Sequence, residues 1–405
     1  MRILERANNY TVAKKIRELG VYPYFRPIES DQDTQVMING KSVLMMGSNN
    51  YLGLANHPEV KEAAIQAVKK FGAGCAGSRF LNGTLSIHLE LEEELAEFVN
   101  CEAALLYTTG FQVNQGVISS LVGRENAVII DRTDHASIID GARLSFGKTF
   151  KYEHNDMESL RRTLNQLGST VGLIVIDGVF SMEGDIARLD EIVKLAQEFN
   201  CDVMVDDAHS LGVLGPGGRG TSAHFGIEDS VDLIMGTFSK SLASIGGFVA
   251  GDFSIIDYLK HHSRALIFSA SPPPASVAAA QTALHIMQRE PERIDKLWEN
   301  TRYLWKCLRD INVDIGKTQT PIVPIRIGEI INTFTACRLL QDNGVFVNPV
   351  VAPAVPIGDG LIRLSVMSTH TFEQIEFAVE IIEKVLKMID LNQSPEKEAL
   401  IDDDL

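Results

Sequence analysis

Lys240 closes the run Gly236-Thr237-Phe238-Ser239-Lys240, an amine set among hydroxyls at the end of an apolar segment. Two readings are open there. It is an ordinary surface cation, or an amine held partly desolvated, the setting in which lysine forms Schiff bases with carbonyl cofactors. The hydroxyls of Thr237, Ser239 and Ser241, with the backbone N–H groups beside them, suit a phosphate. Asp206 shifts the balance. It ends the apolar run Asp202–Asp206, and a carboxylate in such a place is costly unless a cation or a hydrogen-bond donor meets it. The ring nitrogen of pyridoxal phosphate is such a partner, because an ionised carboxylate keeps that nitrogen protonated and the protonated ring withdraws electrons. His209, three residues on, could touch the ring hydroxyl or simply cap the strand. His135, in Asp134-His135-Ala136-Ser137, could stack its imidazole on the ring or be a satisfied loop residue. One cofactor, pyridoxal 5′-phosphate, accounts for the lysine, the aspartate and both histidines together.

Such residues need a scaffold that delivers them to one place. Apolar runs that read as buried strands are Ala104–Tyr107, Ala127–Asp131, Leu173–Asp177, Asp202–Asp206, Leu233–Thr237 and Gly247–Ala250. Amphipathic segments such as His88–Phe98, Met157–Leu167 and Leu189–Phe199 lie between them. Buried strands alternating with helices predict an α/β fold with a mostly parallel sheet covered on both faces. Ligands of such sheets bind beyond the carboxyl ends of the strands. Asp177, Asp206-Asp207-Ala208-His209, the segment ending in Lys240, Thr108-Thr109-Gly110-Phe111 and Asp134-His135 all follow strand runs. After Arg293 the pattern changes to strand-like Pro321–Ile327, Gly344–Asn348 and Leu361–Val366, and helix-like Thr333–Asp342 and Thr371–Met388. The chain is therefore expected to divide into an N-terminal segment (1–50), a large cofactor-binding α/β domain (51–290), a small C-terminal α+β domain (291–390) and a flexible acidic tail (391–405).

Composition narrows the class. The 405 residues carry 37 basic and 53 acidic side chains, a net charge of −16, which argues against a nucleic-acid partner. No run approaches the ~18 apolar residues of a membrane span, and Met1–Gly20 has no apolar core of a signal peptide. Five scattered cysteines without a C-x-x-C pair read as reduced thiols in a cytoplasmic protein, with no structural metal. The literal G-x-G-x-x-G at Gly215–Gly220 contains Pro216 and lacks a clear following helix, so it reads as a plain glycine loop. His261-His262 has no partner at ligand spacing and reads as a solvated pair.

Taken in order, several segments resemble the α-oxoamine synthases, pyridoxal-phosphate enzymes of fold type I that condense an amino acid with an acyl-CoA. They are Asn49-Asn50-Tyr51-Leu52-Gly53-Leu54, Gly77-Ser78-Arg79, Thr109-Gly110-Phe111, Asp134-His135-Ala136-Ser137, Ser181-Met182-Glu183-Gly184-Asp185, Asp206-Asp207-Ala208-His209-Ser210 and Gly236–Lys240. Within the family, Tyr22–Pro27, Gly77–Thr84, Gly236–Gly247 and the spacing of His209 and Lys240 are most similar to the bacterial serine palmitoyltransferase branch. The resemblance implies a large domain with a mostly parallel seven-stranded sheet and a small α+β domain. It implies Lys240 as the cofactor's Schiff-base lysine, Asp206 as partner of the ring nitrogen, His135 stacked on the ring and His209 at the ring hydroxyl. It further implies Ser181 as a ring contact and Gly110, Phe111, Thr237 and Ser239 as phosphate ligands. Ser269 would reach the phosphate from the other subunit of a homodimer with a shared site. Arg363, in Ile362-Arg363-Leu364-Ser365, would bind the amino-acid carboxylate and Asn50 would line the substrate entrance.

The implied reaction is decarboxylative condensation of L-serine with palmitoyl-CoA, or another long-chain acyl-CoA, giving 3-oxosphinganine, CoA and CO2. The nearest alternative is a glycine or alanine acyltransferase of the same family, similar to 2-amino-3-oxobutyrate CoA ligase or 8-amino-7-oxononanoate synthase. An aminotransferase shares the lysine and the fold, but the histidine at 135 and the Gly-Ser-Arg block suit it poorly. A lysine-free, non-catalytic partner subunit is opposed by Lys240, Asp206, His135 and Arg363 together. The lipidic product allows transient peripheral membrane contact, although no basic amphipathic face is evident.

Overall fold

A computed structural model describes residues 2–391, so the expected acidic tail lies outside the described residues apart from its first position. Contacts divide the chain into two compact units: Asn49–Ser181 with Asp185–Leu297, and the N-terminal stretch to Ser48 with Met182–Gly184 and the residues from Trp298 on. The division after Leu297 falls inside a 19-residue helix, Glu292–Asp310.

The larger unit is built on seven strands: β1 (Ala103–Tyr107), β2 (Ala127–Asp131), β3 (Lys148–Tyr152), β4 (Val171–Asp177), β5 (Asp202–Asp206), β6 (Leu233–Thr237) and β7 (Gly247–Gly251). Their order is β1-β7-β6-β5-β4-β2-β3. All neighbours are parallel except β7, which runs antiparallel to both β1 and β6. The mostly parallel sheet matches the expectation from alternating strand and helix patterns, and its seven strands match what the family resemblance implies. β2 is buried at all five positions, and residues 173–177 of β4 are buried too, as strands covered on both faces require. One core cluster joins Val128, Ile130, Val175, Met204 and Val249 to Val113 and Val117 of helix α1 (Gly110–Leu121) and Ile138 of helix α2 (Ala136–Leu144). In-register pairing sets Asp177 beside Asp206, and Asp206 beside Met235. The carboxyl ends of β4, β5 and β6 thus stand side by side.

The glycine-rich stretch 215–220 is the expected loop, a turn at Pro216–Gly218 followed by only a five-residue helix. Its last glycine has φ +101°, and a Cβ there would meet Asp207 Oδ2 at 2.2 Å. The glycine is required by a buried carboxylate rather than by a dinucleotide.

The smaller unit holds two three-stranded sheets. One pairs the hairpin Gln35–Ile38/Lys41–Met45 with Val345–Phe346, and the other places Gly360–Ser365 between Ile322–Gly328 and Asn348–Val350. The single strand expected over 344–348 is thus two: the chain leaves one sheet after Phe346, buries Val347, and joins the other as an edge that tolerates Pro349. His370 staples this unit. Its Nδ1 accepts the Met367 N–H at 2.9 Å and its Nε2 donates to the Met45 carbonyl at 3.1 Å. No helix among the described residues is long and apolar enough to cross a membrane.

Burial lowers the His370 pKa from 6.5 to about 4. The native state therefore keeps the ring neutral while the unfolded chain protonates first. The stability this residue contributes is fully present above about pH 6.5 and is lost as the pH falls toward 4, by an amount on the order of 3 kcal/mol. Urea unfolding between pH 7 and 4 should show a steeper acid loss in the wild type than in His370→Asn; equal slopes would contradict the neutral staple.

Candidate active site

Asp206, at the end of β5, is 3% exposed and receives two N–H donors: Asn114 Nδ2 at 2.7 Å on Oδ2 and the Ala208 backbone at 2.9 Å on Oδ1. Lys240 follows β6 by three residues and is half-buried. His135 is the N-cap of α2, where its Nδ1 accepts the Ser137 N–H at 3.2 Å and lies 2.7 Å from Ser137 Oγ. Its own backbone N–H donates to Asp177 Oδ2 at 2.8 Å. The residue is exposed. The surrounding protein nevertheless lowers its pKa, chiefly by desolvation; Asp206 opposes this and Lys240 adds to it. Phe111 meets the ring edge-on, centroids 6.2 Å apart. His209 Nδ1 is hydrogen-bonded to the buried Tyr51 hydroxyl at 2.8 Å.

A second cluster suits an anion. Thr109 caps α1 by accepting the Gln112 N–H, so the first-turn N–H groups of Gly110 and Phe111 stand at the positive end of a 12-residue helix. Thr237 Oγ1 donates to the Gly246 carbonyl and lies 3.1 Å from Ser239 Oγ. A Cβ on residue 110 would come within 2.8 Å of Thr237 Oγ1, so only glycine lets the helix start this close to those hydroxyls. Ser269 Oγ accepts from Gln112 Nε2 of the same chain at 3.1 Å, which places it beside the first turn of α1. Hydroxyls at a helix N-terminus, a carboxylate held by two donors and a half-buried amine fit the phosphate, ring nitrogen and carbonyl of pyridoxal phosphate.

Behind these residues the carboxyls crowd. Asp177 and Asp134 are raised well above the ordinary carboxylate range, first by burial and then by neighbouring charge, from Asp206 on Asp177 and from Asp177 on Asp134. Asp134 accepts the backbone N–H groups of Asp131 and Asp177. Farther out, His154 bridges Asp131 and Asp185, each at 3.1 Å, with its ring edge-on to Phe180 at 4.4 Å. This bridge, Asn155 and the Val179–Ile186 pairing pin both sides of the turn that carries the half-buried Ser181.

Asn50 is buried in the same unit, its Oδ1 accepting the Ala55 N–H at 3.2 Å. Arg363 belongs to the smaller unit, on Gly360–Ser365; it is 6% exposed and donates to Ser365 Oγ at 3.1 Å. Elsewhere His57, Glu59 and Glu290 bring three possible metal donors together. Glu59 and Glu290 are already paired with Arg289 at 2.8 and 2.6 Å, and Glu290 with Arg293 at 2.7 Å, so the cluster is balanced without a metal.

Comparison with known proteins agrees with this geometry. Residues 41–382 match the family of class I and II aminotransferases. The chain belongs to that family. It is 56% identical over 391 residues to a serine palmitoyltransferase of Sphingobacterium spiritivorum, covering 96% of this chain and 98% of that one. An 8-amino-7-oxononanoate synthase of Treponema denticola is 46% identical over 379 residues, 92% of this chain and 96% of the relative. A solved serine palmitoyltransferase from S. paucimobilis, with a bound PLP–myriocin aldimine, superposes with a TM-score of 0.94 at 34% identity, covering 96% of this chain and all of the other. Within the class I and II aminotransferase family this is a pyridoxal-phosphate-dependent acyltransferase of the α-oxoamine synthase type, with the fold type I architecture.

The structure of this family member brings together Lys240, Asp206, His135, Gly110, Phe111, Thr237 and Ser239 at strand ends and two helix starts, and pairs His209 with Tyr51. It also shows a participant absent from the motif reading, Asn114. The available signal was a carboxamide one turn after Gly110, within the apolar stripe of Val113, Val117 and Ile118.

The His154 bridge has a testable sign. Burial opposes its charge, but the hydrogen bonds and charges of Asp131 and Asp185 prevail and push its pKa up to about 10. Its folded value exceeds the unfolded one near 6.5, so its contribution is fully present below pH 6.5 and is lost as the pH rises through about 10. The stability deficit of His154→Gln, from urea unfolding at pH 6, 8 and 10, should be largest at pH 6 and vanish near 10. A deficit that grows with pH would refute the bridge.

Proposed function

We propose that this α-oxoamine synthase joins L-serine to a long-chain acyl-CoA, palmitoyl-CoA above all, giving 3-oxosphinganine, CoA and CO2. The reading is carried by the convergence of Lys240 and Asp206, after the adjoining strands β6 and β5, with His135, which follows β2 and bonds Asp177 of the intervening β4. Serine palmitoyltransferases at 53 and 56% identity support this substrate pair. When bound, pyridoxal phosphate supplies an electron-withdrawing ring that lets the Cα–H and Cα–carboxyl bonds of the amino acid break. Gly110, Phe111, Thr237 and Ser239 would hold its phosphate, Asp206 would pair with its ring nitrogen, His209 and Ser181 would meet its ring substituents, and His135 would stack on the ring.

Lys240 would hold the cofactor through Nζ and would take the Cα proton at that atom. Arg363 receives the serine carboxylate as a fixed fork of donors, and holding that group decides which Cα bond is set for cleavage. Asn50 lines the approach. A bond forms between serine Cα and the thioester carbonyl carbon while the C–S bond breaks and CoA leaves as thiolate. The carboxyl carbon departs as CO2 and a proton returns to Cα. The site would be shared in a homodimer, in which Ser269, bonded to Gln112 of its own chain, would also reach the phosphate held by the partner.

The relative named 8-amino-7-oxononanoate synthase, 46% identical, favours a second reading: glycine or alanine as the amino acid with a shorter acyl donor.

Pure protein with pyridoxal phosphate should release free thiol from palmitoyl-CoA with serine and form 3-oxosphinganine by mass, and Lys240→Ala should abolish both. Turnover confined to glycine or alanine would overturn the serine assignment. Arg363→Ala should weaken the response to serine, as KM, by roughly 100-fold while the KM for the acyl donor stays within about threefold. A loss shared equally by both substrates would remove Arg363 from the carboxylate.

A further inference from the structure

Asn114 lies in the middle of α1, fully buried. A carboxamide there costs free energy unless its polar atoms are used. Both N–H bonds of Nδ2 are used, one on Asp206 Oδ2 at 2.7 Å and one on Ser137 Oγ at 2.8 Å. Its Oδ1 is buried and has no hydrogen-bond partner among the described residues. Flipping the amide would turn that oxygen against the Asp206 carboxylate, so the aspartate fixes the orientation and one acceptor stays idle to keep two donors in place.

The second donor has a consequence for His135. Ser137 Oγ accepts from Asn114 and so has its own proton to give, and His135 Nδ1 is 2.7 Å away. The Ser137 backbone N–H also reaches Nδ1, at 3.2 Å. A ring nitrogen that receives two donors carries no proton itself, which leaves the imidazole proton on Nε2.

We infer that Asn114 is a positioning residue that, through Ser137, holds His135 as the Nε2–H tautomer while the same amide nitrogen holds the Asp206 carboxylate. One side chain thereby sets both the partner of the ring nitrogen and the polarity of the histidine against the ring. His135 presents a donor on its free side, which suits a carboxylate or a carbonyl oxygen and rejects a cation. Asp206 and Lys240 act on this ring through space, the Asp177 carboxyl accepts its backbone N–H, and Phe111 supplies an uncharged edge. The inference rests on the pyridoxal-phosphate site and on neither the amino acid nor the acyl chain.

The test uses the full-length protein labelled with 15N-histidine, with and without pyridoxal phosphate, and long-range 1H–15N correlation to read the tautomer. His135→Gln identifies the signal. The wild type should show a protonated Nε2 and an unprotonated Nδ1 in both forms. Ser137→Ala leaves only the longer backbone donor and Asn114→Leu removes the group that orients the hydroxyl, so each should give a mixture of the two tautomers. Ser137→Thr, which keeps the hydroxyl, should restore the wild-type pattern. In the loaded enzyme the two disruptive variants should lower kcat about 10- to 100-fold for whichever amino acid is turned over, with Ser137→Thr near wild type. An Nδ1–H signal in the wild type, or an unchanged Nε2–H in both variants, overturns the inference. If Asn114→Leu fails to fold, Ser137→Ala decides. An enzyme inactive on serine that still shows this tautomer pattern loses only the substrate assignment.

Discussion

Burying negative charge at the carboxyl ends of a parallel sheet is the constraint on which this structure turns. Asp131, Asp134, Asp177, Asp206 and Asp207 are each 5% exposed or less. Neighbouring strands lie about 4.8 Å apart, and two ionised carboxylates at that separation repel by roughly 3 kcal/mol even at an effective dielectric constant of 20. Asp177 and Asp206 are such neighbours. The molecule resolves the conflict by dividing roles. Asp177 and Asp134 are driven toward the protonated form, His154 offsets Asp131, and Asp207 is tied to Thr221 beside the glycine loop. Asp206, held by the Asn114 amide and the Ala208 N–H at the end of β5 next to the strand that leads to Lys240, is the acid placed to meet a cationic ring nitrogen.

That division explains why structural and chemical residues are interleaved here. The backbone of His135 is fixed by Asp177, and its ring by Ser137, so an acid behind the site still orients a residue of the site. Glycines serve the same end where side chains would collide. At 110 a Cβ would strike Thr237, and at 247 one would come within 2.9 Å of the Gly110 Cα, so α1 and β7 close around the anion-favouring hydroxyls only because both positions are bare. Replacing either changes the distance between helix and hydroxyls rather than the chemistry of either.

Much of this was legible in the sequence because strand ends announce themselves. Two of the strand segments that read as continuous apolar runs end on a residue of the site, Asp206 and Thr237, and three more stop three or four residues before one; a buried run closed by aspartate or followed by a lysine among hydroxyls is hard to explain otherwise. The edge strand β3 was not legible: Lys148–Tyr152 is mostly exposed and lacks the continuous apolar signature of its neighbours. The switch of the chain between sheets at Val347 was hidden because one β-branched run serves two sheets, and nothing local marks the change of partner.

Asn114 escaped for a different reason, and it bears on how the site is built. Motifs collect residues that are close in sequence, whereas Asn114, Ser137 and Asp206 come from two helices and a strand and meet only after the sheet has formed. Helical periodicity marks position 114 as interior, and an interior asparagine has a dull default explanation in a satisfied backbone. Among the described residues the side chain bonds no backbone group: its two donors go to a carboxylate and a hydroxyl, and its acceptor goes unused. A residue kept merely for packing would be better served by leucine, which fills similar volume without an idle oxygen. The burial cost is borne for two hydrogen bonds, one on the carboxylate proposed for the ring nitrogen and one on the hydroxyl that orients His135.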